Sequence, residues 1–262
     1  MNQTPSSLLV DNGTVDAKQL DEASAQHAAD MVEFMDSQLR AVLERRCPRI
    51  IPILDGQAEV PGNSPQILAQ VLEAWGIWFQ LLSVAEENTG MRRRRQAEKA
   101  LGATEVNGTF ANVFANAKKA GVSAKQIQTL LDNAYICPTI TAHPTEAKRI
   151  TVLEIHRRIY VLLYRLEAPR WTERERIALE QELQNEIDLL WLTGELRREK
   201  PSVAQEVEWG LHFFEQALFE RIPELMSHLE WSLATSYPDD KFPTKPFFKF
   251  GSWVGGDRDG NP

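Results

Sequence analysis

The sequence predicts a mainly α-helical protein that carries two short β-strands far apart in the chain. Apolar side chains recur at three- and four-residue intervals over most of the 262 residues, which is the spacing of amphipathic helices. Two runs, residues 135–146 and 247–262, are instead short apolar segments that open into polar loops, as strands do. Because two strands cannot close a sheet, the sequence predicts part of a larger structure.

The composition is that of a globular protein, with 43% hydrophobic and 25% charged residues. The formal net charge of -8 argues against a general nucleic-acid binder. The N-terminus has no basic start and no long apolar core, so we expect no signal peptide. The apolar stretch at residues 75–85 is broken by Gln80, so we expect no membrane span. These features predict a soluble cytoplasmic protein.

The chain has two cysteines, Cys47 beside a proline and Cys137 inside the first apolar strand. Two distant cysteines without a repeat are typical of free thiols and not of a disulfide framework. We therefore expect both to be free and to line the core.

The polar composition of residues 1–20 predicts a disordered tail, and the sequence predicts a folded region over residues 21–262. The first helix ends at Arg45 and Arg46, before Pro48. Its apolar stripe consists of Met31, Phe34, Met35, Leu39, Val42 and Leu43.

The second helix starts at Ser64, with Pro65 at its first position, and Gly90 is its predicted C-terminal cap. Residues 92–95 are four consecutive arginines. We interpret this run as a solvated helix face, and a site for phosphate or an acidic partner is the alternative.

Three later helix starts show the capping-box pattern, a Ser or Thr three residues before a Glu or Gln. A helix over residues 150–166 ends before Pro169, and Pro223 predicts a kink in the last helix. The capping pairs are Ser123 with Gln126, Thr172 with Glu175 and Ser202 with Gln205.

The first apolar strand ends in a turn that holds Thr141, His143 and Glu146. Pro144 biases His143 towards extended backbone, so its imidazole is expected at the strand end. A histidine in that place can exchange protons near neutral pH. The alternative is a histidine held in a proline turn without a catalytic role.

The second strand opens into residues 255–262, a loop with three glycines. Such a loop allows a ligand to approach closely, and its backbone amides can bind an anion. Arg258, between Asp257 and Asp259, supplies a cation for carboxylate or phosphate. Trp253 adds an apolar wall. The alternative is a surface turn with an internal Asp–Arg pair, whereas a calcium loop is excluded because its glycine is misplaced.

Together the two runs resemble the phosphoenolpyruvate carboxylase family. The first reads Thr-Ala-His-Pro-Thr-Glu from Thr141, and the second reads Gly-Ser-Trp-Val-Gly-Gly-Asp-Arg-Asp-Gly-Asn-Pro from Gly251. Weaker matches lie at residues 81–86 and 190–202. The resemblance covers nearly all of the chain after the predicted tail.

The resemblance implies a helical region carrying the first two strands of an incomplete α/β barrel. It implies a lyase that fixes carbon dioxide: bicarbonate is added to phosphoenolpyruvate with Mg²⁺ or Mn²⁺, giving oxaloacetate and phosphate in an anaplerotic step for the tricarboxylic acid cycle. His143 matches the catalytic histidine, which assists formation of carboxyphosphate. Trp253 matches the tryptophan that shelters CO₂, and Arg258 matches an arginine of the active-site loop. The shelter suits the chemistry, because water would protonate the enolate.

The resemblance also implies what the chain would need from elsewhere. The metal-binding residues of the family and the arginines that hold phosphoenolpyruvate match no residue here, so we expect no metal ligand in this chain and no turnover by it alone. The complete enzyme is expected to be a homo-oligomer without nucleic-acid or membrane partners. Two alternatives remain: a non-enzymatic helical module completed by a partner chain, and a phosphohistidine carrier that uses His143.

Overall fold

A computed structural model describes residues 17–141, 150–193 and 202–254 of the chain. The described residues are mainly helical, which confirms the predicted fold class. The helices are α1 (Ala17–Arg46), α2 (Ile51–Leu54), α3 (Pro65–Leu101), α4 (Phe110–Lys119), α5 (Ala124–Asp132), α6 (Ile150–Leu166), α7 (Glu173–Thr193), α8 (Val203–Phe213) and α9 (Phe219–Ser236). The strands are β1 (Thr139–Ile140) and β2 (Gly251–Ser252).

The chain divides into two compact units, each formed by two separate stretches. We call the first the helical unit; it comprises Met1–Gln96 and Lys148–Leu196. We call the second the strand unit; it comprises Ala97–Ala147 and Arg197–Pro262. Both predicted strands belong to the strand unit.

The helical unit has a continuous apolar core built from α1, α3, α6 and α7. α1 begins at Ala17, inside the range predicted as a tail, and its predicted stripe supplies Met35 and Leu39 to the core. Ile155 of α6 and Leu183 of α7 are fully buried against it. Full burial of such a side chain contributes about 1.5–3 kcal/mol, so this core accounts for most of the stability of the unit.

α3 differs from the sequence prediction, because it continues through Gly90 to Leu101. A glycine inside a helix costs about 1 kcal/mol relative to alanine. Side-chain contacts of the arginine run at residues 92–95 offset that cost. They favour a structural role for these arginines over a phosphate site. The contacts are Arg92 with Glu167 (3.4 Å), Arg93 with Asp21 (2.6 Å) and Arg95 over the ring of Tyr164 (4.9 Å).

The length and composition of α3 differ from the expectation that the chain holds no candidate membrane span. Its 37 residues are long and apolar enough to cross a membrane, judged by length and composition alone. A core helix passes the same test, and one face of α3 packs into the core of the helical unit through Val71, Ile77 and Leu81. Gln80 is buried as well, and its side-chain oxygen lies 2.8 Å from Nε2 of His156.

The strand unit has a smaller core, formed where α9 packs against α4 and α5. The Tyr237 hydroxyl donates a hydrogen bond to the Val122 carbonyl oxygen at 2.9 Å. All three predicted capping boxes are present: those of α5 and α8 in this unit and that of α7 in the helical unit. The buried members of the small core are Phe114, Ile127, Leu229, Leu233 and Tyr237.

The last helical segment is irregular at a place that the sequence did not predict, ahead of the predicted kink at Pro223. Pro223 lies within α9, and a π-helical turn at Phe214–Leu218 joins α8 to α9. A π turn holds one extra residue, and each residue of a regular helix adds about 100° of rotation, so the turn resets which side chains of α9 face the small core.

The two predicted strands pair with each other in parallel, which the sequence alone did not establish. Thr139 lies opposite Gly251, and Ile140 lies opposite Ser252. A bridge between Ile136 and Phe248 extends the pairing towards the amino ends of the strands. The strand unit therefore contains a two-stranded parallel sheet with its carboxyl ends side by side.

Both cysteines are free, as predicted, but their surroundings differ. Cys47 is buried in the core of the helical unit, and burial raises the pKa of its thiol. Cys137 is exposed, so the prediction that it lines a core is wrong. The reason is that one face of the two-stranded sheet is uncovered in the described part of the chain.

Candidate functional site

The carboxyl ends of β1 and β2 meet at one edge of the sheet. The amide of Gly251 donates to the Pro138 carbonyl oxygen at 3.0 Å, and the amide of Trp253 donates to that of Ile140 at 2.9 Å. The backbone of Trp253 is thus fixed beside the last residue of β1. Since the strands are parallel and in register, Thr141 is the next neighbour of Trp253 along the edge.

One face of β2 is covered by the helical segment of α8 and the π turn. The ring of Phe250 packs edge-on against Phe214, with the ring centroids 5.1 Å apart. Further along, a Cγ atom of Val254 lies 3.9 Å from the position that a Cβ atom of Gly210 would occupy. Successive side chains of a strand alternate between faces, so the intervening residue Trp253 belongs to the opposite face.

The opposite face, which we call the open face, carries the side chains of Cys137, Thr139 and Trp253. Trp253 is 79% exposed there. A Cβ atom added to Gly251 would lie 3.1 Å from Oγ1 of Thr139 and 3.4 Å from Sγ of Cys137, which places both side chains on this face. The alternation extends the open face to Thr141, which is also exposed. Gly251 is therefore the residue that lets the Thr139 side chain lie across the neighbouring strand.

Tyr135 is a further exposed side chain beside the open face that sequence reasoning did not single out. A hydrogen bond with Cys137, followed by the electrostatic interaction with that side chain and by burial, raises the pKa of the Tyr135 hydroxyl. The phenol is therefore a neutral hydrogen-bond donor near neutral pH. Period-two alternation along residues 135–141 is the pattern that would have identified it.

Of the three site residues predicted from the sequence, the structure describes Trp253. It lies at a strand end, as predicted, and the apolar wall it supplies faces solvent. His143 and Arg258 lie outside the described residues, so their positions remain predictions. In the sequence, His143 follows Thr141 by two residues, and Arg258 belongs to the loop that follows Val254.

The described side chains form no evident metal site. Within residues 17–141, 150–193 and 202–254, no group of three or more His, Cys, Asp or Glu side chains is placed to hold a metal ion. The donors at the described strand ends are hydroxyls, a thiol and an indole, which is not a set that Mg²⁺ or Mn²⁺ prefers.

Comparison with known proteins gives one family. A family model described as phosphoenolpyruvate carboxylase matches residues 19–262. A phosphoenolpyruvate carboxylase from Methylorubrum extorquens is 53% identical over 233 residues, which are 89% of this chain and 25% of that protein. One from Synechococcus sp. is 39% identical and covers 72% of this chain and 20% of its own length. One from Roseiflexus castenholzii is 39% identical, with coverages of 73% and 20%. The chain thus spans a quarter or less of the length of these relatives.

Proposed function

We propose a function for this chain from one premise: the chain belongs to the phosphoenolpyruvate carboxylase family. The proposed reaction joins phosphoenolpyruvate and bicarbonate to give oxaloacetate and phosphate, a carbon–carbon lyase reaction. This chain contributes one wall of the active site. The observation that supports this role is the parallel pairing of β1 and β2, which brings the strand end before His143 beside Trp253.

We assign proton handling to His143 at the step in which the phosphoryl group of phosphoenolpyruvate passes to bicarbonate. The carboxyphosphate formed there releases CO₂, and the enolate of pyruvate attacks it. A strand-end imidazole suits this role because its ordinary pKa lies near neutral pH. The hydroxyls of Thr139 and Thr141 on the open face offer hydrogen bonds to a bound oxyanion.

We assign water exclusion to Trp253. Water would protonate the enolate before it reached CO₂, so the reaction needs an apolar surface at the reacting carbon. The exposed indole on the open face is such a surface. Arg258 is proposed to pair with phosphate or carboxylate oxygens, because a guanidinium matches their geometry with two parallel hydrogen bonds.

The metal ion that assists this chemistry, Mg²⁺ or Mn²⁺, does not fit the described residues of this chain. Its ligands are proposed to come from polypeptide that corresponds to the remaining three quarters of the relatives. The same polypeptide is proposed to supply the other barrel strands. The complete enzyme is proposed to be a cytoplasmic homo-oligomer.

The test uses a chimera in which this chain replaces the corresponding segment of the Methylorubrum extorquens relative. Formation of oxaloacetate from phosphoenolpyruvate, bicarbonate and Mg²⁺ is followed for the chimera and for the isolated chain. We expect turnover by the chimera and none by the chain alone. His143→Gln should lower the turnover of the chimera by about 100-fold or more, the range for loss of a positioned proton donor or acceptor.

The matched control is His228→Gln, which changes an exposed histidine of the strand unit and should leave turnover unchanged. Robust turnover by the isolated chain would contradict its proposed incompleteness. Full activity of the His143→Gln chimera would contradict the proposed role of that histidine.

A second candidate is a helical module without enzymatic activity that a separate partner chain completes. The exposed apolar residues Tyr135, Ile136 and Trp253 at the sheet favour a covering partner. This candidate predicts an inactive chimera together with a soluble complex on co-expression of a downstream polypeptide. An acid-labile phosphate on His143 would instead identify a phosphohistidine carrier.

A further inference from the structure

The two halves of α1 are held in different ways. In its C-terminal half, Met35, Leu39 and Val42 are buried in the core. In residues 19–34 the buried side chain is the polar Ser24, and the partly buried Met31 and Phe34, which pack against the core, lie at the end of this stretch. An apolar groove of about 580 Å³ lies between this N-terminal half and α3. Few buried apolar contacts mark the segments that open at low free energy, so the N-terminal half is the less stable part of the helix.

A cluster of polar side chains, which we call the α1 latch, joins the N-terminal half of α1 to the rest of the helical unit. Nε2 of His27 lies 3.9 Å from a carboxylate oxygen of Glu167, which directly follows α6. The other carboxylate oxygen of Glu167 lies 3.4 Å from the guanidinium of Arg92 in α3. Ser24 and Asn88 complete the cluster, and Asn88 is 2% exposed.

The latch contains buried polar atoms that are not fully hydrogen-bonded. Leaving such an atom without a partner costs about 1–3 kcal/mol, so this cluster stabilises the docked helix less than a fully hydrogen-bonded one would. Among the described residues, no hydrogen-bond partner meets Ser24 Oγ, His27 Nε2, Asn88 Oδ1, Arg92 Nε or Glu167 Oε1.

The charges around His27 come from all three elements of the latch. Burial lowers the pKa of His27 below its ordinary value of 6.5, Arg92 lowers it further, and Asp30 on α1 opposes both. Burial raises the pKa of Glu167, against the opposing effect of Arg92 and Arg95. Glu167 also acts on Tyr160 of α6, together with Tyr164 and with Glu87 and Arg95 of α3. Asp21, Glu86 and Arg93 line the groove beside Ser24.

We propose that the α1 latch is a pH-sensitive device: the N-terminal half of α1 stays docked against α3 and α6 while His27 is neutral, and protonation of His27 releases it. Protonation puts a second positive charge beside Arg92 in a half-buried place. Glu167 offsets this only in part, because its nearest oxygen is beyond hydrogen-bonding distance. The carboxylate also gains affinity for a proton itself, which weakens the attraction further.

The directions of the two pKa changes determine how the stability of the docked N-terminal half changes with pH. A histidine whose folded-state pKa is lowered contributes stability that is fully present above pH 6.5 and is lost as pH falls towards the folded-state pKa. Glu167 acts oppositely, since a raised carboxyl pKa favours the folded state as pH falls further. Release therefore begins just below pH 6.5.

Release is confined to the N-terminal half because other contacts hold the C-terminal half. Arg46 makes a bidentate ion pair with Asp188 of α7, at 2.7 and 2.6 Å. Gln38 accepts a hydrogen bond from Gln184 at 3.0 Å. The N-terminal half has in addition the exposed pair Asp21–Arg93, and an exposed pair adds little. Opening would uncover the apolar groove.

Hydrogen exchange of the full chain at pH 7.5 and pH 5.5, corrected for intrinsic rates, tests the proposal. We expect peptides within residues 19–32 to lose about threefold in protection at the lower pH, while residues 35–46 stay unchanged. His27→Gln should abolish the difference between the two pH values. His228→Gln, at an exposed site of the strand unit, should retain it.

Unchanged protection of residues 19–32 in the unmodified chain would overturn the proposal, as would a pH response that persists in His27→Gln. If His27→Gln fails to fold, the ring resonances of His27 in the unmodified chain give the same answer. A titration midpoint of the His27 ring below pH 6.5 that moves lower in Glu167→Gln supports the proposal. A titration midpoint above pH 6.5 overturns it.

Discussion

The two compact units of this chain differ in how far they bury their own apolar surface. The helical unit encloses a core drawn from four long helices, in which Leu183, Ile155 and Ile187 are fully buried. The strand unit has a small core and leaves large side chains in solvent, among them Trp253 at 79% and Tyr135 at 65% exposure. The residues proposed for chemistry belong to the less complete unit.

On the proposed function, the unit with the large core supplies stability and the unit with the uncovered sheet supplies the chemistry. A parallel sheet is usually covered on both faces, whereas here α8 and the π turn cover one face only in the described part. The open face exposes a thiol and an indole, side chains that folded proteins usually bury. It therefore marks the side on which further polypeptide is expected.

We expect the greatest loss of stability when a core side chain of the helical unit is removed. Leu183 is fully buried, so Leu183→Ala should lower the free energy of unfolding by about 2–5 kcal/mol through lost burial and the remaining cavity. Urea denaturation followed by circular dichroism measures it. Leu192→Ala on the same helix is the control, because that side chain is 60% exposed and should change stability by less than about 0.5 kcal/mol. Equal losses in the two variants would mean that the core is not where the structure places it.

The next test removes a single hydrogen bond from the small core of the strand unit. Tyr237→Phe leaves the half-buried Val122 carbonyl without its 2.9 Å donor, which should cost about 1–3 kcal/mol. The same denaturation experiment measures the loss. Tyr164→Phe is the control, since that ring is half exposed. A neutral Tyr237→Phe would show that the hydroxyl contributes nothing to this core.

The features that the sequence predicted best depend on neighbours only three or four residues away. The capping box of Ser123 and Gln126 is one example, because its donors and acceptors lie within one helical turn. The predicted cap at Gly90 failed for the opposite reason. Whether α3 ends there depends on Arg92 meeting Glu167, directly after α6, and on Arg95 meeting Tyr164 in α6, which no local pattern reveals.

The candidate site also has features that local sequence predicted and features that only the structure shows. The strand ends and the place of Trp253 followed from the local switch between apolar run and polar loop. The pairing of β1 with β2 joins residues that are distant in the chain, so it required the structure. Cys137 was assigned to a core because the sequence could not show which face of the strand the helices cover. The roles of His143 and Arg258 stay predictions.

The smallest expected effect concerns the sheet itself and tests whether the open face depends on a glycine. In Gly251→Ala the new methyl carbon would lie 3.1 Å from Oγ1 of Thr139, so the Thr139 side chain or the strand that carries it must give way by a few tenths of an ångström. We expect a loss of about 1 kcal/mol, at the low end for overpacking. The amide of Trp253, bonded to Ile140 at 2.9 Å, should exchange faster because it lies next to the shifted residue.

The double variant Gly251→Ala with Thr139→Ala decides the cause of that loss. Thr139→Ala removes the oxygen and the methyl group that the new carbon would meet, so protection of the Trp253 amide should return. If the double variant exchanges as fast as Gly251→Ala, the effect comes from backbone conformation and not from side-chain contact. Recovery would instead show that side-chain packing on the open face holds the edge on which Trp253 stands.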